Sequence, residues 1–372
     1  MTFVSKKIVP ISFSLGLAML MLCPSFGTWA QQDTNESSES QSDPLLERLK
    51  VVSQQGKTAN TAMAFTNLID ECDALLKEQS LKPTHRNYIN SMLGWSLDKR
   101  AETRVELAAR FRQIENHEQS SLLLSKALED FERSIKTTPQ RWQTFLHRAT
   151  YYAEMEKFLL AVADYSEVIK LNPEHKNAHF NRGELFYSLG RFQDALQDYD
   201  QVLTIDSQDS QAMTGRAHCL MELKKLDEAM ESYSAVTEKL PNDAWAFANR
   251  ADCYMALQNW SAAKNDLTKA SNLQTNGEIS RRLAWFLATC PDESMIDGQL
   301  ALTAAKQAIR LSGETSENLD VLAAAHAAAG QFERARDVYA RVASLLEEAD
   351  PTVAIKQAAY ENNERYQEEF QR

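Results

Sequence analysis

KNAHFNRGELFYSLGRFQDALQDYDQVLTIDSQD, residues 176–209, is one of four consecutive blocks of 34 that begin at Trp142, Lys176, Ser210 and Ala244. The eighth position of each block is small (Ala149, Gly183, Ala217, Ala251), and so is the twentieth (Ala161, Ala195, Ala229, Ala263). An arginine precedes the eighth position (Arg148, Arg182, Arg216, Arg250), and a bulky residue fills the eleventh (Tyr152, Phe186, Leu220, Tyr254). Tyr165, Tyr199, Tyr233 and Leu267 occupy the twenty-fourth. Apolar residues recur at helical spacing from Ala178 to Tyr187 and again from Phe192 to Leu203. Gly190 lies between these runs, where a chain leaving a helix needs a residue tolerant of positive φ. Each block therefore predicts a hairpin of two helices. The small residues let the helices approach closely, and the eleventh and twenty-fourth positions fill the space beside that contact. Pro173 and Pro241 close two of the blocks, because proline cannot continue a helix interior. A repeat of this length marks a solenoid.

The small-residue positions, the aromatics, the closing prolines and Asn181-Arg182-Gly183 together resemble the tetratricopeptide repeat. The resemblance covers roughly residues 83–349 and is strongest over 142–277. It implies an all-α fold, a right-handed α-solenoid of antiparallel helix hairpins whose concave face is lined by the first helix of each hairpin. It also implies a non-catalytic scaffold, without cofactor, that binds a protein or peptide segment in that concave groove. Ligand contacts in related repeats come from the second, fifth, ninth, twelfth and thirteenth positions. Here those positions include Asn177, Phe180, Glu184, Tyr187, Gln211, Thr214, His218, Met221, Glu222, Trp245, Asp252 and Met255. Two readings stay open for Phe180 and Met221, ligand contact and packing between repeats. The chaperone-binding subgroup holds a terminal carboxylate with lysines and arginines, but such positions carry Glu154, Glu184, Glu222 and Asp252 here. A bound peptide is therefore expected to be neutral or basic, and salt should weaken it.

The flanks extend the array less regularly. Residues 44–141 are expected to hold N-terminal helices and one degenerate repeat, with Gly94 at the eighth position and Ala127, Phe131, Ser134 and Pro139 in second-helix register. Gly94 and Ala127 stand 33 residues apart where Ala149 and Ala161 stand 12 apart, an insertion of 21. The inserted stretch, 98–120, predicts lengthened helices projecting from the stack. Two divergent repeats follow at 278–349. The first has its second helix, with Ala301, Ala305 and Ala308, four residues late. The second carries Ala323, Gly330, Ala335, Tyr339 and Val342 in place. Residues 350–372 predict a polar capping helix.

Lys6 and Lys7 precede an apolar run from Ile8 to Cys23, and Thr28-Trp29-Ala30 offers a small-x-small cleavage site, so residues 1–30 predict a secretory signal. An uncleaved signal acting as a membrane anchor is the alternative, and the only membrane contact expected. Residues 31–43 contain no apolar side chain and predict a disordered acidic linker. Ala288-Thr289-Cys290-Pro291-Asp292 resembles a turn of exported bacterial repeat proteins. A periplasmic or extracellular monomer is the resulting expectation. The net charge of −12 becomes −14 on loss of Lys6 and Lys7, which argues against a nucleic-acid partner.

Side chains able to do chemistry have structural readings. Cys219 and Cys253, one repeat apart, are expected as buried free thiols, while Cys290 before Pro291 is expected to be more open. His175 and His179 have the spacing of a zinc pair, but His175 falls in a turn, so no metal site is expected. Arg148, Arg182 and Arg250 are expected to pair with Asp164, Asp198 and Asp266 and hold register, with Ser232 at the matching position of the third block. The alternative function is a structural part of a cell-envelope assembly that uses the convex face or the 98–120 extension. An enzyme comes third.

Overall fold

The structure, a computed structural model, describes residues 44–79, 81–345 and 351–367. The expected signal at 1–30 and linker at 31–43 lie outside those residues. The chain divides into two compact units, one ending at Gly190 and the other starting at Arg191. The regular secondary structure of the described residues is entirely helical. The first unit holds α1 (Pro44–Thr58), α2 (Ala62–Leu76), α3 (Pro83–Gln113), α4 (His117–Thr137), α5 (Trp142–Glu154), α6 (Phe158–Leu171) and α7 (Lys176–Ser188). The second holds α8 (Phe192–Ile205), α9 (Ser210–Glu222), α10 (Leu226–Lys239), α11 (Ala244–Ala256), α12 (Trp260–Leu273) and α13 (Gly277–Thr289). A short 3-10 turn (Glu293–Met295), α14 (Gly298–Ser312), α15 (Ser316–Ala328), α16 (Phe332–Leu345) and α17 (Pro351–Glu361) complete it. Within each unit every helix packs on the next in chain order, the stacked-hairpin arrangement of an α-solenoid.

The hairpin turn is a backbone device repeated every 34 residues. Glu156, Gly190, Lys224 and Gln258 all have left-handed φ, between 56° and 72°. In three of these turns the next N–H donates to a carbonyl five residues back: Lys157 to Tyr152, Lys225 to Leu220 and Asn259 to Tyr254, each at 2.8 Å. This is the Schellman closure, which satisfies a carbonyl that the helix end would otherwise leave open. The opposite ends are capped by side chains. Asp209 accepts from the N–H groups of Gln211 and Ala212, Asp243 from Trp245 and Ala246, and Asn276 from Glu278 and Ile279. His175 serves the same end of α7, its Nδ1 accepting from Ala178 N–H at 3.1 Å.

Inside the α5–α6, α9–α10 and α11–α12 hairpins the helices touch through the small residues. Ala149, Ala161, Ala195, Ala217, Ala229, Ala251 and Ala263 are all fully buried, and Gly183 is buried with them. Tyr165, Tyr199, Tyr233 and Leu267 are no more than 3% exposed beside that contact. The contact between α8 and α9 is closer still, since a Cβ added at Gly215 would lie 2.5 Å from the Tyr199 ring.

In the first and fourth blocks charge-assisted pairs bridge the two helices of the hairpin as the arginine pattern predicts. Arg148 meets both carboxylate oxygens of Asp164 at 2.7 Å, and Arg250 meets those of Asp266 at 2.7 and 2.9 Å. In the third block Arg216 turns to Ser232 and to Asp200 of the preceding helix. Arg182 donates to Ser166 Oγ at 2.9 Å.

Three expectations need correction. The 98–120 extension forms the distal parts of α3 and α4, but it does not project freely. Ala101 and Ala108 are fully buried in one core with Phe145, Ala149 and Tyr152, so the long hairpin lies along the first regular repeat. Its tip is open, with Ile114 70% exposed. The C-terminal capping helix stops at Glu361, because Asn363 adopts φ 57° and Glu364 N–H closes on Ala359 O at 2.7 Å. Finally, Cys290 is fully buried like Cys72, Cys219 and Cys253, and none of the four forms a disulfide. Burial pushes the Cys253 thiol up to about 11 and raises that of Cys290, which keeps both protonated.

The turn geometry generates a test. A left-handed φ costs a side-chain-bearing residue about 1–2 kcal/mol, and glycine offsets about half of that relief through unfolded-state entropy. Glu156→Gly and Lys224→Gly, at two exposed positions, are each expected to raise stability by about 0.5 kcal/mol, and Gly190→Ala to lower it by about 1 kcal/mol. Urea unfolding of the three variants checks the signs.

Candidate functional site

The first helices carry the candidate contact residues. On α7, in the first unit, Asn177 is exposed, while Phe180, Glu184 and Tyr187 are half-buried. The other eight lie in the second unit on α9 and α11. There Gln211 is exposed, and Thr214 returns its hydroxyl to Ser210 O at 2.9 Å. Met221 and Glu222 are half-buried, and burial raises the Glu222 carboxyl above its usual value. Met255 packs against the core that α11 shares with α12 to α15.

Trp245 and Asp252 are brought together by Arg282 of α13, whose charge also acts on His218. Its Nη1 donates to Asp252 Oδ2 at 2.9 Å and to Asn249 Oδ1 at 3.3 Å, while its Nε donates to Glu278 Oε1 at 3.3 Å. The guanidinium also lies 5.5 Å from the centre of the Trp245 ring, within cation–π range. Trp245 stays 36% exposed beneath it. Burial, and then the charge of Arg282, push the His218 imidazole down to about 4, so it is neutral at pH 7. Its ring packs edge-on against Tyr233 at 5.7 Å. Burial raises Asp252, Arg282 pulls it back and Glu278 adds to the rise. The result is a wall with an apolar ring, a neutral imidazole and a carboxylate–guanidinium–carboxylate chain. Such a wall offers contact area and directional hydrogen bonds.

Arg282 and Glu278 alter the charge expected from the sequence. Asp252 is an internally paired carboxylate rather than an open acidic contact. The fifth first helix starts at Gly277, one residue earlier than a strict period of 34 from Ala244 would place it, so contact positions could not be carried across by counting. The available signal was an arginine pair, Arg281-Arg282, at the start of a first helix where the four regular blocks carry their single arginine later.

A second polar cluster joins α3 to α5. Asp98, Glu102 and His147 place one potential metal-ligand atom each within 4.8 Å of one another. Their hydrogen bonds suit an imidazolium better than a metal ion. His147 Nδ1 is 2.9 Å from Asp98 Oδ1, and its Nε2 is 3.2 Å from Glu102 Oε1, so both ring nitrogens face carboxylates. Arg141 holds the second Asp98 oxygen at 3.2 Å and Lys99 the second Glu102 oxygen at 2.6 Å, two cations that a divalent ion would have to approach. His175 and His179 are structural too, since His175 caps α7 and His179 Nε2 lies 3.0 Å from Pro173 O.

The sign of the pH response follows from this cluster. Burial opposes charge on His147, but Asp98 and Glu102 together outweigh it and hold the imidazole above its ordinary 6.5. Burial likewise opposes charge on Asp98, and His147, Arg141 and Lys99 outweigh it and hold the carboxyl below 3.8. The His147 contribution to stability is therefore full below pH 6.5 and is lost as pH rises through the folded value. The Asp98 contribution is present above 3.8 and is lost on the acid side. His175, His218 and His326, all held below 6.5 with burial as the leading cause, also act on the acid side. Between pH 6.5 and 9 the wild type should thus lose stability relative to His147→Gln, by at most about 1.4 kcal/mol per pH unit, one proton's worth. Chemical unfolding of both proteins across that range is the measurement.

Two family models, each described as tetratricopeptide repeat, match residues 146–210 and 186–247. No curated protein sequence matches the chain. Among solved structures, YrrB, titled a tetratricopeptide repeat protein with an unusual peptide-binding site, is 21% identical at a TM-score of 0.40, covering 55% of this chain and 92% of its own. PilF of Pseudomonas aeruginosa is 15% identical at 0.45, covering 60% and 96%. Yeast Tom70 is 15% identical at 0.44, covering 88% and 66%. At these scores the structural likenesses carry nothing about ligands. The repeat pattern, its helical hairpins and the two family matches agree, and the chain carries tetratricopeptide repeats over residues 146–247.

Proposed function

We propose that this protein is an exported, non-catalytic scaffold whose first-helix faces bind an extended segment of a partner protein. Tetratricopeptide repeat proteins generally act as scaffolds for protein or peptide partners, which supports the coarse reading. The observation that carries the finer one is Trp245, a large aromatic left 36% exposed while its polar neighbours Asp252, Asn249 and Arg282 are fixed by one another. Rigid aromatic area beside preorganised polar groups is the composition of a binding hot spot. Asp252 and Glu278 are met by Arg282 and Arg281, so the half-buried Glu222 carries the acidic character of these faces, which favours a neutral or basic segment. Residues 1–30 support export, with Gln31 as the expected mature N-terminus, and an uncleaved signal would instead anchor the chain. Among the described residues no helix is long and apolar enough to cross a membrane. One observation favours the envelope-assembly alternative, the exposed Ile114 at the tip of the α3–α4 hairpin.

Affinity capture from the envelope of the exporting cell, followed by titration of the captured partner, tests the proposal. Trp245→Ala and Tyr187→Ala are each expected to weaken that partner by about 2 kcal/mol, roughly thirtyfold, with helicity unchanged. Full affinity in both variants, together with its loss in Ile114→Asp, would transfer the function to the long hairpin.

A further inference from the structure

The residues after α17 do not continue away from the fold. Lys356 of α17 is buried against Asp320 of α15 at 2.5 Å, and its ammonium lies 4.7 Å from the Trp285 ring centre. Arg336 then holds Tyr360 O at 3.1 Å and Asn363 Oδ1 at 3.0 Å, and the left-handed Asn363 turns the chain. The short tail 364–367 returns to α13, some 75 residues earlier in sequence.

The tail is held there through side chains. Arg365 Nη1 donates to Ala288 O at 3.1 Å and to Cys290 O at 3.2 Å, and its Nη2 meets Glu293 Oε1 at 2.5 Å. Its side chain is only 11% exposed. Those two carbonyls end α13, where a helix leaves acceptors unfilled and its dipole favours a cation. The next residue, Tyr366, packs its ring 6.0 Å from that of Trp285, and Gln367 Nε2 reaches Glu293 at 3.2 Å. The groups that receive Arg365 and Gln367 belong to α13 and the turn after it, while Tyr366 also meets Lys356 of α17, whose ammonium lies 5.2 Å from its ring centre.

This place is continuous with the wall described above. Arg282 and Trp285 stand three residues apart on α13, and so share one helix face. Arg282 contacts Trp245 of α11, while Trp285 contacts the tail.

We propose that the C-terminal end of α13, Glu293 and Trp285 form a binding subsite for an extended segment carrying an arginine followed by an aromatic residue, and that residues 364–367 fill this subsite in cis. The inference rests on reading the first-helix faces as a ligand surface, and adds the chemistry of one position on it. Tethering gives the tail an effective concentration in the millimolar range. A short ligand is therefore excluded from the intact protein, and a partner gains the subsite only if it also holds the neighbouring Trp245 face.

The full chain labelled with 5-fluorotryptophan provides the test, with the Trp285 resonance assigned by Trp285→Phe. In the double variant Arg365→Ala/Tyr366→Ala the Trp285 signal should shift while the other tryptophans report an intact fold. The hexapeptide Asn-Asn-Glu-Arg-Tyr-Gln, added to about 5 mM, enough to fill a millimolar site, should move the signal back. Wild type should respond to it at least about tenfold more weakly, and the peptide with alanine for arginine should have no effect. The proposal is overturned if the Trp285 signal is the same in wild type and double variant, if the peptide does not restore it, or if the alanine peptide restores it equally. None of these readouts involves partner capture, so a failed capture experiment leaves this test decisive.

Discussion

Close approach of two helices is the constraint on which everything else in this molecule depends. It is possible only where a glycine or alanine stands at the eighth and twentieth positions, and these residues have no surface in water. Once the axes are that close, the tyrosine or leucine at the twenty-fourth position has one space to occupy, and the arginine before the eighth falls within reach of a carboxylate on the second helix. Asp164 and Asp266 meet that arginine with both oxygens, which fixes the rotation of one helix on the other as well as their distance. The turn adds the remaining restriction, since a single left-handed residue and one Schellman bond set the direction in which the second helix leaves.

The proposed binding wall inherits its precision from that packing. Trp245, Asp252 and His218 stand on first helices whose ends are tied by Asp209 and Asp243, so their side chains start from fixed backbones. Arg282 then joins the α11 and α13 faces through contacts to Asp252, Asn249 and Trp245. In the first unit the same kind of joint is made by His147, which ties the long α3 to α5 with both ring nitrogens. One joint forms part of the surface proposed to meet a partner, and the other holds an irregular hairpin on the regular repeats.

How much of this was legible depended on whether the cause lay within one repeat. Ala229 and Tyr233 announce their packing by spacing alone, and so do the arginine–aspartate pairs. The left-handed turn was visible at Gly190 but not at Glu156 or Lys224, because there the backbone is imposed by the closing hydrogen bond and not by residue type. Ala101 and Ala108 looked like part of a solvated extension, since nothing in their own helix says that α5 covers them. Arg282 was hidden by the one-residue slip at Gly277. Asp98 and His147, 49 residues apart, belong to no repeat register. Arg365 was least accessible of all, as its partners are mostly backbone carbonyls, which leave no mark in a sequence.

The most direct measurement of the central claim is the stability difference between two identical substitutions on one helix. On α10, Ala229 faces the partner helix with no exposed surface, and Ala235 faces water. Forcing a larger side chain into the close contact, Ala229→Leu, should cost about 1–3 kcal/mol in urea unfolding, while Ala235→Leu should stay within about 0.5 kcal/mol of wild type. Equal effects at the two positions would contradict the account, for the helices would then not be held together by the small residues between them.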